Sequence, residues 1–423
     1  MKKLALLTFT LINFHIIKEF GIFFCFPPFL LYFYFIYKNL SIKKYKFILS
    51  DNYYILITII IFSFILLSVN VLFDSELILE HKLLTLGRIN FTYPILFLLI
   101  FTFDSINDYK KIINIYIAFN LLAAFFLIIT VIVDNNIFLQ NDYFSFKVRD
   151  NLIRYSTLYG SAGQTGYALS LPIFIVFMSN YSKYIKYIFL TIFFIAVTLS
   201  LSRAAYFNVI LCFFIYLIIN NKKTINEVIF ILFILFIITP LIMNVLDIYN
   251  YYDYFFYKIS GYSPAGIEYS ISKNTSDLIN IFDRVYYSVF KDFYSILEQN
   301  LISIQSFVFG NGYRFMGISL GLFNFNISNT MYIHNGFYEI FLSSGIIIFC
   351  CTLSLFYLTM KNMIKLSKIN PESAIIRIFS GSLILITINI FLGASIIHPN
   401  LIAFFWVIIS FVVNTKKNNN FIV

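Results

Sequence analysis

KYIFLTIFFIAVTLSLSRAAYFNVILCFFIYLII, Lys186 to Ile219, is hydrophobic over almost its whole length. As one straight α-helix, its apolar stretch of about 32 residues would reach about 48 Å, against a hydrocarbon core of about 30 Å. It is too apolar for water and too long for one crossing. The stretch therefore predicts two membrane helices, with a turn or break near Ser200-Leu201-Ser202-Arg203.

The rest of the chain has the same character. Of 423 residues, 60% are hydrophobic and 12% charged, with a mean hydropathy of +0.85. Soluble domains carry about 25% charged residues, so a water-soluble globule is excluded. Inside lipid a backbone must satisfy its own hydrogen bonds, which makes each crossing a helix. The long runs of Ile, Leu and Phe lack the period-2 alternation of a barrel strand. The expected fold is an all-α polytopic membrane protein of about twelve helices, at roughly 4–17, 20–37, 53–73, 91–105, 112–133, 165–180, 187–202, 203–220, 227–247, 336–360, 377–396 and 400–414. The start, MKKLALLTFTLINF, resembles a signal peptide but lacks a small-residue cleavage site, so it reads as a retained first helix.

The net charge of +10 does not point to nucleic acid, because the lysines cluster between apolar runs. The clusters are Lys2-Lys3, Lys38 with Lys43, Lys44 and Lys46, Lys110-Lys111, Lys183 with Lys186, Lys222-Lys223, Lys361 with Lys365 and Lys368, and Lys416-Lys417. If the twelve helices alternate, every cluster falls on one side, which the positive-inside tendency makes cytoplasmic, with both termini. The chain then divides into membrane helices at 1–247, a large outer loop at 248–335, and three further helices at 336–423. A smaller outer loop runs from about 134 to 164. Within the large loop, FDRVYYSVFKDFYSILEQN has apolar residues at helical spacing and predicts an interfacial amphipathic helix. Cys25, Cys212, Cys350 and Cys351 all fall in apolar runs without metal-site spacing and read as packing residues. Phe, Tyr, Ile, Asn and Lys all have AT-rich codons, so their abundance need not reflect function.

Arginine is distributed differently from lysine. Of Arg88, Arg149, Arg154, Arg203, Arg284, Arg314 and Arg377, only Arg377 is cytoplasmic in this topology. Guanidinium groups grip phosphate through paired hydrogen bonds. Arginines gathered at the outer face therefore point to an anionic, lipid-linked ligand. Helices entering from that face also present their positive N-terminal ends there. Arg203 heads one such helix with Ser202 as its cap, and His334-Asn335 heads another with Asn335 as N-cap. Plainer readings stand beside these. An arginine at a helix end can simply snorkel, and a lone interfacial histidine can be a structural hydrogen bonder. Arg88 and Arg314 read as loop charges. Gly310 and Gly312 read as turn residues, since no strand precedes them and no lysine follows.

In order, the chain carries SLSRAAYFNVILCFF, an outer loop with Asp283-Arg284, VFGNGYRF, and YIHNGFYEIFLSSGIIIF. From Thr198 to Cys350 this resembles the shared region of bacterial O-antigen polymerases (Wzy-type) and O-antigen ligases. The resemblance implies a glycosyltransferase at the periplasmic face of the bacterial inner membrane, acting on undecaprenyl-diphosphate-linked glycan donor and acceptor. It implies that Arg203 and Arg284 handle the diphosphate and that His334 is the histidine of the family's His-Asn motif. This chain departs from the pattern in two places. Tyr286 or Tyr287 stands where the family often has tryptophan, and Ser343-Ser344 stand where it has a glutamate near Gly345, with Glu339 earlier in the helix. The general base is therefore open among His334, Glu339, Asp283 and Glu298, with His334 preferred for its place at the rim.

Arg149, Arg154 and Gln164 of the smaller loop offer a second wall to the substrate site. The outer loops hold no Asp-x-Asp pair and the chain no Walker motif, so the expected transfer needs no metal and no cofactor. Membrane lipid is the expected surround, a chain-length regulator a possible partner, and nucleic acid is not expected. An O-antigen ligase, passing glycan to lipid A core, shares every motif named. A polysaccharide flippase or other transporter is the alternative from another class.

Overall fold

The computed structural model describes residues 52–73, 105–132, 162–200, 208–212, 214–216, 304–310, 335–392 and 399–417, with isolated positions between 3 and 103. The helices expected at 4–17, 20–37 and 227–247 and the amphipathic stretch in 282–300 lie wholly or largely outside the described residues. All regular structure among the described residues is helical: α1 (Asn52–Phe73), α2 (Ile106–Ile132), α3 (Ala162–Met178), α4 (Lys183–Leu199), α5 (Ile304–Phe309), α6 (Gly336–Ile369), α7 (Ala374–Leu392) and α8 (Pro399–Lys417). Among the described residues, four stretches are long and apolar enough to cross a membrane: Ile55–Phe73, Ile106–Ile132, Gly336–Ile369 and Ala374–Phe391. Shorter apolar helices run from Thr165 to Met178 and from Leu401 to Thr415. These are the helices of a membrane-embedded protein.

Helix boundaries follow local chemistry. α1 covers the expected 53–73. α2 starts before the expected 112, because Ser105 and Asp108 open it. The Ser105 hydroxyl donates to Asp108 Oδ2 at 2.8 Å, and the acidic side chain sits in the first turn, where the helix dipole favours it. α4 ends at Leu199 with Ser200 as C-cap, its N–H donating to the Ala196 carbonyl at 3.0 Å. The long apolar run thus breaks where its length requires.

Compact packing divides the chain into two units, Met1–Phe119 with Ser288–Val423, and Asn120–Tyr287. In the second, α3 and α4 form a helical hairpin. Residues 165–178 of α3 are buried on every side, although Pro172 lies within the helix. Lys186 Nζ donates to the Phe177 carbonyl at 3.1 Å, placing a cation on the C-terminal end of α3. The Cys212 thiol, fully buried, donates to the Ser170 carbonyl at 3.4 Å. This is the packing role expected of it.

In the first unit the helices align by their ends. α6 and α7 join through the short connection 370–373 and so run in opposite directions. Tyr109 near the start of α2 bonds Ser410 at 2.8 Å and accepts from Asn414 Nδ2 at 2.8 Å near the end of α8, while Tyr116 meets Phe404 at 4.7 Å. Numbering rises along α2 as it falls along α8, so the two are antiparallel. Asn362 Nδ2 donates to the Tyr53 hydroxyl at 2.7 Å, which sets the start of α1 beside the last part of α6. Residues 401–415 of α8 are buried on every side. An evenly apolar helix belongs inside the bundle.

α6 departs most from expectation. Within its 34 residues, Gly345 has φ +78 and ψ 178, which no helix accommodates. Phe337 packs edge-on against Phe356 at 5.4 Å, and Phe341 against Phe349 at 5.7 Å. On a continuous helix the first pair would stand about 28 Å apart. The chain therefore reverses at Gly345. A short arm, 336–344, folds back along a long arm, 346–369, to make a helical hairpin with Ser344-Gly345 at its tip. The straight helix expected at 336–360, with Asn335 at its outer mouth, is corrected accordingly. Asn335 is carried back toward the level of Phe356.

Candidate functional site

The expected site residues fall in three places. Arg149, Arg154, Ser202, Arg203, Arg284 and His334 lie outside the described residues. Gln164 is in the first turn of α3. Asn335 and Glu339 sit together at the start of the short arm of α6.

That start is well built. Asn335 has extended backbone angles, φ −124 and ψ 115, and its side-chain oxygen accepts from the Phe337 N–H at 2.9 Å. Its carbonyl accepts from the Glu339 N–H at 3.1 Å. This is the N-cap that an asparagine ahead of an apolar run predicts. Asn335, Glu339, Ser343 and Ser344 are all buried, and Glu339 is 1% exposed. Glu339 lies in the first turn of its arm, where the positive end of the helix favours a carboxylate. Every residue from 335 to 345 except Tyr338 is buried, whereas the long arm alternates between buried and exposed. The short arm is thus an interior half-helix, and the long arm alone has one face outward.

The tip is gripped by the loop that precedes it. A Cβ placed on Gly310 would collide with the carbonyl of Ser343 and the nitrogen of Ser344. One placed on Gly345 would collide with the carbonyl of Val308 and lie 2.8 Å from the Gly310 nitrogen. Both glycines have positive φ, +80 and +78. Two backbones lacking side chains touch directly, and Phe307 of α5 packs edge-on against Phe341 at 5.6 Å. Phe309-Gly310, where FGNGYRF begins, and the helix after His334-Asn335 are thus packed together. The sequence reading placed them only in order along the chain. It missed the reversal, although Ser343-Ser344-Gly345 is the Gly/Ser combination at which helices kink.

A second polar feature was also missed. Asn208 is fully buried, and neither atom of its amide has a hydrogen-bond partner among the described residues. Among the described residues no group of three or more His, Cys, Asp and Glu side chains is placed to hold a metal.

The fold and this site define a class, an all-helical membrane-embedded protein with a helical hairpin held at its tip by a loop. No family model, curated protein or solved structure matches the chain.

Proposed function

We propose that this protein is an O-antigen polymerase, joining undecaprenyl-diphosphate-linked repeat units at the periplasmic face of the bacterial inner membrane. The observation that carries the reading is the interlock of Gly310 and Gly345. Gly310, the first glycine of the Gly-x-Gly motif, touches the helix after His-Asn, two motifs that the resemblance sets apart in sequence. In the reaction, the bond between the donor's anomeric carbon and its phosphate oxygen breaks. Undecaprenyl diphosphate departs with the electron pair. An acceptor hydroxyl forms the new glycosidic bond and gives its proton to a base, His334 or Glu339. Arg203 and Arg284 balance the charge that grows on the leaving diphosphate. The same reading gives Ser202, Arg149, Arg154 and Gln164 a part in binding the substrate. In this reading, transfer takes place beside the hairpin rather than on an outer rim.

One observation favours a second reading. A half-helix buried among other helices, bearing the carboxylate of Glu339, also fits a polysaccharide flippase or other transporter, where interrupted helices and intramembrane charges line the path. Deleting the gene and running the lipopolysaccharide on a gel separates the possibilities. A single repeat unit on the core marks a polymerase and naked core a ligase, while accumulation of lipid-linked units on the cytoplasmic side marks a transporter. Arg284→Ala and His334→Ala should each abolish the ladder while the protein stays in the membrane; normal ladders in both would refute the site.

A further inference from the structure

We propose that the segment 304–310 of the large loop enters the outer part of the bilayer and that the exposed face of α5 is covered by lipid acyl chains. The inference does not depend on the glycosyltransferase reading, only on the long arm of α6 entering the membrane from its lysine-bearing end.

Depth comes first. The charge-free part of the long arm runs from 346 to Lys361, the first of three exposed lysines. Its roughly 15 residues cover about 22 Å, less than the hydrocarbon core of about 30 Å. Any tilt shortens this further. Gly345, at the tip, therefore ends inside the slab or at its edge. The segment 308–310 is in backbone contact with that tip, and Phe307 reaches Phe341, one turn below it on the short arm. The segment is held at the depth of what it touches.

Chemistry comes second. Residues 304–310, IQSFVFG, carry no charge. Ile304 is 88% exposed, Phe309 73% and Phe307 41%. Ile304 and Phe309 face outward at the level of the hydrocarbon beside the uncharged Gln305, while Phe307 packs in part against Phe341. The non-helical backbone of Gly310, which lipid would not tolerate, is instead turned against Ser343 and Ser344. Non-helical backbone survives at membrane depth only when protein covers it. The paired glycines allow that cover, and the lipid occupies the opposite side.

The test uses tryptophan as a depth probe. The chain has one native tryptophan, Trp406, which is buried. Phe309→Trp and Ile304→Trp change outward-facing side chains and should leave folding intact. Each variant is placed in full-length protein, read over the constant Trp406 signal and again in a Trp406→Phe background, after reconstitution into phosphatidylcholine vesicles. Bromine on the acyl chains and iodide in the buffer are the two quenchers. The expected result is that both reporters lose most of their emission to brominated lipid and little to iodide, with blue-shifted spectra. If iodide quenches either reporter more strongly than brominated lipid does, the segment lies in water and the inference is overturned.

Discussion

Gly345 is the residue on which the largest structural difference turns. Its φ of +78 with ψ of 178 lies in a region almost confined to glycine. Gly345→Ala adds strain of about 1–3 kcal/mol from the backbone alone. It also forces the Val308 carbonyl away from the tip. We expect a lowered thermal midpoint in detergent and loss of glycan ladder, with Gly310→Ala doing the same. Wild-type behaviour in both would mean that the interlock carries no weight. Buried amides give the opposite sign. Asn208 has an amide without partners among the described residues, and an unmet buried polar group costs about 1–3 kcal/mol. Asn208→Leu should therefore raise the midpoint. The Asn335 cap was legible because an N-cap depends on neighbours in sequence. Gly345 was not, because its conformation is fixed by Val308 and Gly310, some 35 residues upstream.

At the scale of elements, α6 shows how apolar composition can mislead. A run without charges from Ile340 to Met360 has the length of one membrane crossing, and hydropathy cannot distinguish a straight helix from a folded one. The signal that distinguishes them is pairing across the break, Phe337 with Phe356 and Phe341 with Phe349. Cysteines at Phe337 and Phe356, in a background lacking the native cysteines, should join through a short bifunctional reagent within one chain. A straight helix would hold them about 28 Å apart and give no product. Burial follows the same logic. The short arm is covered nearly all round, so its N-terminal end and Glu339 belong to the interior. The expected rim position for this end came from treating α6 as straight. α4 behaved as its sequence required, since an apolar stretch too long for one crossing must end somewhere, and Ser200 caps it.

Across the whole molecule, the lysines carry the orientation. In the first unit, α1 and α2 begin at the end where the long arm of α6 and α8 finish, as Tyr53 with Asn362, Tyr109 with Ser410 and Asn414, and Tyr109 with Phe379 near the start of α7 show. The exposed Lys110, Lys111, Lys361, Lys365 and Lys368 therefore share one end of this unit. A lysine also stands at the far end of α1, where Lys82 donates to the Leu72 carbonyl at 2.9 Å. Among the described residues that one cation stands against the five exposed lysines at the other end, which keeps the asymmetry. Removing the polar tie at the lysine end should loosen it. Tyr109→Phe deprives Ser410 and Asn414 of a shared buried partner, at about 1–3 kcal/mol, readable as a lowered thermal midpoint. The sidedness itself can be measured. The positive-inside tendency makes the lysine end cytoplasmic. Single cysteines at Lys110 and Lys365, in the background lacking native cysteines, should resist a membrane-impermeant maleimide in intact cells whose outer membrane has been permeabilised. Both should react once the inner membrane is opened. Labelling of both in intact cells would invert the protein and place the tip of α6 on the cytoplasmic side, away from any periplasmic glycan. Labelling of only one would break the alignment of α2 with α6 from which the shared end is derived. The periplasmic enzyme reading needs the first outcome.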